Sequence, residues 1–207
     1  IVSNAGDGAG LLDDSRAMHE FREFLTKVDT DRLDAYVAQL LAHERVDWTG
    51  FALQDLINEV GRRLGYAVEN GRYKGVRNQI GFDGIWKAPD GSSIVVEVKT
   101  SSTYELKIDR IASYRERLKE SGEVSDNTSM LLAVGNLDTN AWESQIRGSR
   151  FAWDVRIVGV SALTHLARLG DDDPLLLEKV RAMLVPREYT RLDSLVDLVL
   201  ATSALSE

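Results

Sequence analysis

The chain has 207 residues, of which 43% are hydrophobic and 28% are charged, and its formal net charge at pH 7 is −8. This size and composition suit a globular protein with a core, and no apolar run approaches the roughly 18–20 residues that a membrane span requires. The chain contains no cysteine, which excludes disulfides, thiol catalysis and cysteine–zinc sites and, with no secretory signal pattern at its start, favours a cytoplasmic location.

Basic side chains are concentrated in the middle of the chain. Residues 61–160 carry 15 basic and 13 acidic side chains, whereas residues 1–60 carry 5 and 12, and residues 161–207 carry 5 and 8. Because nucleic acid is a polyanion, the middle segment is the part of the chain best suited to contact it. The acidic ends favour contacts with protein, either in a homo-oligomer or by docking to a larger assembly.

The first part of the chain is predicted to be helical after a glycine-rich lead-in over residues 1–10. Apolar residues recur at near-helical spacing across residues 11–45 and again from Phe51 to Leu64, where Gly65 ends the second helix. An amphipathic helix needs a surface on which to bury its apolar stripe. We therefore expect residues 11–45, and the helices predicted below within 175–203, to pack on the core of the protein or on a second copy of the chain.

The pattern then changes to alternation, which predicts two β-strands over residues 80–87 and 93–100. The intervening residues Ala88–Ser92 include Pro89 and Gly91, and proline and glycine at these positions favour a tight turn. The two strands are therefore predicted to form an antiparallel hairpin.

The rest of the chain alternates between helical and strand patterns. This order predicts an α/β fold in which a mixed β-sheet is flanked by helices. The predicted elements are a helix over 105–120, strands over 130–135 and 155–160, a helix capped by Ser161, a break at Asp171–Pro174, and helices over 175–184 and 190–203.

The second strand of the hairpin carries two ionisable side chains on one face. Side chains alternate across a strand, so Glu97 and Lys99 share a face with Val95. The opposite face is purely aliphatic and is expected to lie in the core. It consists of Ile94, Val96 and Val98.

Asp83, on the first strand, is expected to lie opposite Glu97. The two residues are equally far from Asp90, so they pair if the turn is centred there. Directly paired residues have Cβ atoms about 4.5–5.5 Å apart. Two carboxylates at that distance repel each other, and a positive charge must offset their repulsion. Lys99 supplies part of this charge, and a bound Mg²⁺ or Mn²⁺ ion would supply the rest, since these ions prefer oxygen ligands.

These side chains suit the hydrolysis of phosphodiesters. A metal ion held by Asp83 and Glu97 would bind a phosphate oxygen and activate a water, and Lys99 would orient that water or offset charge on the phosphate. The alternative is a surface hairpin with an ordinary Glu–Lys ion pair. The strand is otherwise aliphatic, which is typical of a buried central strand, and polar residues follow it at positions 100–102. Both features favour the catalytic interpretation.

Two short runs of the hairpin form a recognisable pattern, Gly-Phe-Asp-Gly over residues 81–84 and Ile-Val-Val-Glu-Val-Lys-Thr over residues 94–100. Together they resemble the signature of the PD-(D/E)XK nuclease superfamily, especially its Mrr-like and RecB-like branches. The resemblance extends over roughly residues 52–160. Phe82 stands where the family motif has proline.

The resemblance implies a restriction-endonuclease-like fold and a magnesium-dependent nuclease whose catalytic residues are Asp83, Glu97 and Lys99. The family often adds an acidic residue from the helix before the hairpin as a further metal ligand, and Glu59 fits that position. An ordinary solvated glutamate at the edge of the helix explains Glu59 equally well.

Basic and aromatic side chains flank the hairpin and are the expected contacts for a phosphate backbone. The RecB-like branch carries a Gln-x-x-x-Tyr element on the helix after the hairpin, where this chain has Arg110 in place of glutamine, followed by a matching Tyr114. The predicted nucleic-acid-binding residues are Arg72, Lys74, Arg77, Tyr104, Lys107, Arg110 and Tyr114.

Three regions are predicted: a helical N-terminal extension over residues 1–50, a nuclease core over 51–170 and a helical C-terminal extension over 171–207. The resemblance implies a metal-dependent DNA endonuclease, and it suggests the effector of a bacterial restriction or anti-phage defence system. The alternative is a nuclease-fold module that binds nucleic acid or a partner protein without cutting. The intact catalytic set favours the enzyme, since a degenerate copy is expected to lose one of its members.

Overall fold

The computed structural model of the chain describes residues 11–42, 47–74, 81–101, 106–135, 138–172 and 174–186. The helices are α1 (Arg16–Lys27), α2 (Thr30–Ala42), α3 (Asp47–Arg63), α4 (Ile108–Glu120), α5 (Asn140–Arg147), α6 (Val160–Asp172) and α7 (Leu177–Leu184), with a short 3₁₀ helix at Pro174–Leu176. The strands are β1 (Ala67–Asn70), β2 (Gly84–Lys87), β3 (Ser93–Lys99), β4 (Thr128–Val134) and β5 (Val155–Gly159).

The five strands form one mixed sheet in the order β1-β2-β3-β4-β5. The pairs β1–β2 and β2–β3 are antiparallel, whereas β3–β4 and β4–β5 are parallel. Parallel neighbours need a long crossover connection, and the segments that contain α4 and α5 provide it. The chain therefore has an α/β fold, as the alternating pattern predicts.

Helices cover both faces of the sheet. On one face, Ile94 and Val96 of β3 are fully buried in the largest apolar cluster, which they share with residues of α3 and α6. On the other face, Met130 and Leu132 of β4 pack with residues of α4 and α5. The prediction that the aliphatic face of β3 lies in the core is confirmed, and the face that carries Glu97 is turned towards α4.

The flanking helices belong to the same apolar cluster as α3. Helix α1 is capped by Ser15, whose hydroxyl accepts a hydrogen bond from the backbone N–H of Met18 at 3.1 Å. Leu25 of α1, Val37 of α2 and Leu184 of α7 are all buried in this cluster. The described parts of both flanks thus pack on the core of the same chain, as their amphipathic pattern predicts.

Several element boundaries differ from the predicted ones. The run predicted over residues 11–45 forms two helices, because Val28 has an extended backbone before α2 begins. Strand β1 has only four residues, too short for alternation to reveal it. Helix α6 begins at Val160, so Ser161 lies inside the helix and does not cap it. The predicted helix over 190–203 lies outside the described residues.

We find no membrane-spanning candidate among the described helices, none of which is both long and apolar enough to cross a bilayer.

Candidate active site

The candidate site lies at one end of the β2–β3 hairpin. The observed pairing of Ile85 with Val95 and of Lys87 with Ser93 confirms the predicted register centred on Asp90. Asp83 directly precedes β2, and its backbone N–H still donates a hydrogen bond across the hairpin at 3.1 Å. The register therefore continues far enough to bring Asp83 beside the end of β3.

The carboxylate of Asp83 reaches across to β3. Its Oδ2 atom accepts a hydrogen bond from the backbone N–H of Val98 at 2.6 Å. Val98 lies between Glu97 and Lys99, whose side chains emerge on the same face of the strand. The ammonium of Lys99 donates a hydrogen bond to Glu97 Oε1. The ionisable side chain of Asp83 thus meets those of Glu97 and Lys99 at the carboxyl end of β3.

These three side chains line a cavity of about 390 Å³, which we call the candidate cavity. Its wall includes residues of the hairpin, of α4, and of the connections that precede both. The lining residues are Arg72, Tyr73, Gly81, Phe82, Asp83, Glu97, Lys99, Leu106, Lys107, Arg110, Ile111, Tyr114 and Trp142. The cavity therefore joins two carboxylates to several cationic and aromatic side chains.

Burial and neighbouring charges in the candidate cavity shift the pKa values of Asp83 and Lys99. Burial of the Asp83 carboxyl group, and then the negative charge of Glu97, raise the pKa of Asp83 to about 7, although Lys99 and the Val98 N–H act in the opposite direction. Burial acts to lower the pKa of Lys99, but the negative charges of Glu97 and Asp83 outweigh it and raise that pKa above its ordinary value. Lys99 therefore remains an ammonium at neutral pH.

The backbone carbonyl oxygen of Asp83 accepts hydrogen bonds from two side chains of helix α3 and from one backbone N–H after β1. Gln54 Nε2 donates to this oxygen at 3.0 Å, Asn58 Nδ2 at 2.8 Å, and the backbone N–H of Gly71 at 2.9 Å. Asn58 is fully buried and also accepts a hydrogen bond from Trp86 Nε1 at 3.0 Å. One buried amide thus links the helix, the carbonyl of Asp83 and the interior of β2.

This contact explains the glycine after Asp83. A Cβ atom at Gly84 would lie 2.1 Å from the side-chain oxygen of Asn58, closer than any real Cβ contact. Gln54, Asn58 and Gly84 are not among the site residues that the sequence predicts. The signal that could have found the two amides is their spacing. Gln54 and Asn58 are four residues apart and so share one face of a helix that is rich in apolar residues.

Glu59, the predicted third acidic residue, does not line the candidate cavity. Its carboxylate pairs with Arg62 at 3.3 Å and with Arg63 at 3.5 Å. Arg63 in turn donates to the hydroxyl of Thr30 at 2.9 Å, which directs this cluster towards the start of α2. The predicted role of Glu59 as a metal ligand is therefore not supported by its position.

The predicted nucleic-acid-binding residues divide into three groups. Arg72, Lys107, Arg110 and Tyr114 line the candidate cavity, and the guanidinium of Arg110 lies 5.4 Å from the ring centre of Tyr114. Lys74 is exposed on the loop that follows Arg72. The remaining two, Arg77 and Tyr104, lie outside the described residues.

The carboxylates of the candidate cavity are the groups that could hold a metal ion. Within the described ranges no cluster of three or more histidine, cysteine, aspartate or glutamate side chains has the spacing of a metal site. Asp83 and Glu97 provide two acidic side chains, and magnesium is commonly held by one or two carboxylates together with water. The donor set thus fits a hard divalent cation better than zinc, which takes nitrogen and sulfur ligands.

Comparison with known proteins adds no family to this description. No model of a known protein family matches the chain, and no curated protein sequence matches it. A function for this protein is therefore argued from its own residues and their geometry.

Proposed function

We propose that the chain is a metal-dependent nuclease of the PD-(D/E)XK class, with a restriction-endonuclease-like fold, which hydrolyses phosphodiester bonds in DNA. The observation that carries this proposal is that Asp83, Glu97 and Lys99 line one cavity together with Arg72 and Arg110. A nucleic acid supplies both the reactive group that the first three residues suit and the negative charge that the two arginines attract.

Asp83 and Glu97 are the residues that would hold a Mg²⁺ or Mn²⁺ ion. Their mutual repulsion, which contributes to the raised pKa of Asp83, is relieved when a cation lies between the two carboxylates. When bound, the ion supplies Lewis acidity at a phosphate oxygen and makes a coordinated water more acidic. The hydrogen bond from the Val98 N–H to Asp83 holds one of these carboxylates in position.

Lys99 is the residue that offsets the charge of the reacting phosphate. Hydrolysis forms a bond between the water oxygen and phosphorus, breaks the bond to the leaving oxygen, and ends with a proton on that oxygen. The pKa of Lys99 is raised, so its side chain is a poor base at neutral pH and acts as a fixed positive charge. This favours charge stabilisation over proton abstraction as its role.

DNA in the cytoplasm is the substrate that we propose, in the setting of a bacterial restriction or anti-phage defence system. Fifteen of the 25 basic residues of the chain lie between positions 61 and 160, and four of these line the candidate cavity, which supports a nucleic-acid substrate. The acidic balance of the remaining segments supports contacts with protein, in a homo-oligomer or a larger assembly.

Cleavage of supercoiled plasmid DNA in the presence of Mg²⁺ tests the proposed activity. Lys99→Ala is expected to reduce the cleavage rate by about 10²–10³-fold, because a charge acting on the transition state is lost. Lys87→Ala is the matched control, since Lys87 lies at the opposite end of the hairpin and forms an exposed ion pair with Glu69 at 3.6 Å. This control is expected to cut at the wild-type rate.

Two results would contradict the proposal. One is wild-type cleavage by Lys99→Ala, and the other is cleavage that persists when a chelator removes divalent ions. DNA binding by the wild-type chain without any cleavage would instead favour the non-cleaving module.

A further inference from the structure

An acidic turn lies against a loop of the candidate cavity. The carboxylate of Asp13 accepts hydrogen bonds from the backbone N–H of Tyr73 at 2.7 Å and from that of Lys74 at 3.0 Å. Its neighbour Asp14 forms an ion pair with Arg72 at 2.9 Å, and Arg72 also lies 4.0 Å from Asp13. Arg72 and Tyr73 line the candidate cavity, so the two carboxylates adjoin the proposed catalytic site.

The loop formed by residues 72–74 has the donor set of a phosphate site. Two consecutive backbone N–H groups point at one anion, and a guanidinium lies beside it. Backbone amides and arginine are the groups that recognise phosphate oxygens in nucleic-acid complexes. Lys74 adds an exposed ammonium next to these donors. A carboxylate at this position therefore occupies the place that suits a phosphate.

The loop is held rigidly enough to present these donors. The buried ring of Tyr73 stacks on Phe51, with 4.8 Å between ring centres, and Arg22 lies 5.4 Å from the same ring. The hydroxyl of Tyr73 donates to the buried carboxylate of Asp55, which Arg22 also contacts at 3.0 Å. The backbone at Tyr73 is thus fixed from beneath by its own side chain.

The acidic turn is also an ordered part of the protein. Leu11 is buried in the core on one side of the turn, and Ser15 caps helix α1 on the other. Asp14 has a φ of 61°, a left-handed conformation that aspartate tolerates better than most residues. The structure therefore presents both carboxylates to the loop on a defined backbone.

We propose that the loop of residues 72–74 is a subsite for a backbone phosphate of the nucleic acid, and that Asp13 and Asp14 occupy it until the substrate displaces them. This inference rests on the proposed nuclease function and adds its regulation. The side chains of Asp14 and Arg72 are 80% and 53% exposed, so water screens their ion pair and a phosphate can replace it readily. Asp13, at 18% exposed, makes the more enclosed of the two contacts.

The first test measures binding of a fluorescent DNA duplex by chains that also carry Lys99→Ala, which is expected to slow cutting, in buffer with a chelator. The aspartate variant combines Asp13→Asn with Asp14→Asn. These substitutions keep hydrogen-bond acceptors in both side chains and remove two negative charges. The matched control is Glu20→Gln with Glu23→Gln, which removes two charges from exposed positions of α1. We expect the aspartate variant to bind the duplex at least about fivefold more tightly than the control. We also expect its log affinity to fall more steeply with log salt concentration, by a slope of about one, because one more phosphate contact releases one more counterion.

Adding Arg72→Ala to the aspartate variant should remove both gains, because the freed guanidinium is the group expected to contact the phosphate. An affinity gain no larger than that of the control, or a gain that survives Arg72→Ala, would overturn the inference. Asp14→Asn alone serves if the double variant does not fold, since it breaks an exposed ion pair and leaves the amide contacts of Asp13 intact.

A second measurement separates this inference from the proposed activity. Inorganic phosphate is titrated into the wild-type protein and into the aspartate variant, and the backbone amide resonances of Tyr73 and Lys74 are followed by NMR. We expect a saturable shift in the aspartate variant at a phosphate concentration about tenfold lower than in the wild type. This result, combined with no DNA cleavage by the wild type, would retain the subsite and reject the nuclease. Cleavage by the wild type with equal phosphate titrations would retain the nuclease and reject the occupied subsite.

Discussion

At the scale of single residues, Asp83 combines a place in the proposed catalytic site with a cost to stability. Its carboxyl group is enclosed beside Glu97, and both burial and that neighbouring charge disfavour ionisation. The unfolded chain imposes neither penalty. Such a cost is typical of a residue retained for chemistry, and a bound cation would relieve it by offsetting the negative charges of the two carboxylates.

The raised pKa of Asp83 predicts how stability changes with pH when divalent ions are removed. Below about pH 4 the carboxyl is protonated in both states, and between about pH 4 and 7 the folded state alone keeps the proton, so stability falls as the pH rises. Asp83→Asn cannot ionise. In chelator at pH 8, we expect its free energy of unfolding to exceed that of the wild type by about 1–3 kcal/mol, with a smaller difference at pH 5.

Chemical denaturation across this pH range measures the effect. Asp126→Asn, on an exposed loop outside the candidate cavity, is the matched control for the same substitution. A difference between Asp83→Asn and the wild type that stays constant from pH 5 to pH 8 would mean that the Asp83 carboxyl ionises in the folded chain as it does in the unfolded one.

At the scale of elements, the site depends on a close contact between α3 and β2. Gln54 and Asn58 occupy one face of α3 and converge on the carbonyl of Asp83. Neighbouring Gly84 leaves room for the Asn58 amide. The helix thus positions the strand end that carries Asp83, and its role is structural support of the proposed metal ligand.

Gly84→Ala is expected to disrupt that contact. The added Cβ would meet the Asn58 side-chain oxygen at 2.1 Å, so the strand end or the amide must move, at a cost of about 1–3 kcal/mol. Gly50→Ala is the matched control, because a Cβ at Gly50 on α3 meets no atom within 4 Å. That control should gain about 0.5–1 kcal/mol from helix propensity.

Thermal denaturation and plasmid cleavage, measured on the same samples, check this prediction. We expect Gly84→Ala to lose cleavage by more than its unfolded fraction explains, since the displaced Asp83 carboxylate would no longer be placed to hold the proposed cation together with Glu97. Full activity in a destabilised Gly84→Ala chain would show that the α3–β2 contact serves stability alone.

At the scale of the whole molecule, one apolar cluster connects the flanking helices to the sheet. Leu25 of α1, Leu33 of α2, Val96 of β3 and Leu184 of α7 all belong to it. A core that extends from α1 to α7 makes the described parts of the flanks contributors to the stability of the sheet. The candidate cavity, in contrast, lies on the face of the sheet that carries α4.

A core substitution in α7 should therefore affect stability without affecting the chemistry. Leu184→Ala removes a side chain that is 4% exposed and should lower the free energy of unfolding by about 2–4 kcal/mol. Met183→Ala, at a position 37% exposed, is the adjacent control and should cost less than about 1 kcal/mol. Cleavage per folded molecule is expected to stay at the wild-type level in both, and a selective loss of DNA affinity in Leu184→Ala would contradict this separation.

The local sequence alone determined the hairpin and its ionisable face. Pro89 and Gly91 specify a turn. Alternation over the last four residues of β3 separates Val96 and Val98 from the face that carries Glu97. These features depend on neighbours only a few residues apart, and a register error would have exposed the aliphatic face to water. The register and the buried face could therefore be predicted without any knowledge of the fold.

The side chains from other elements that adjoin that face are selected by tertiary packing. Glu59 and Asn58 are consecutive on α3, yet Asn58 contacts Asp83 and Glu59 turns to Arg62 and Arg63. Their helical positions differ by only one residue, so the orientation of α3 against the sheet, which hydrophobic packing sets, selects between them. The contact between Asp13 and the backbone at Tyr73 is likewise invisible to periodicity, because it joins residues 60 positions apart.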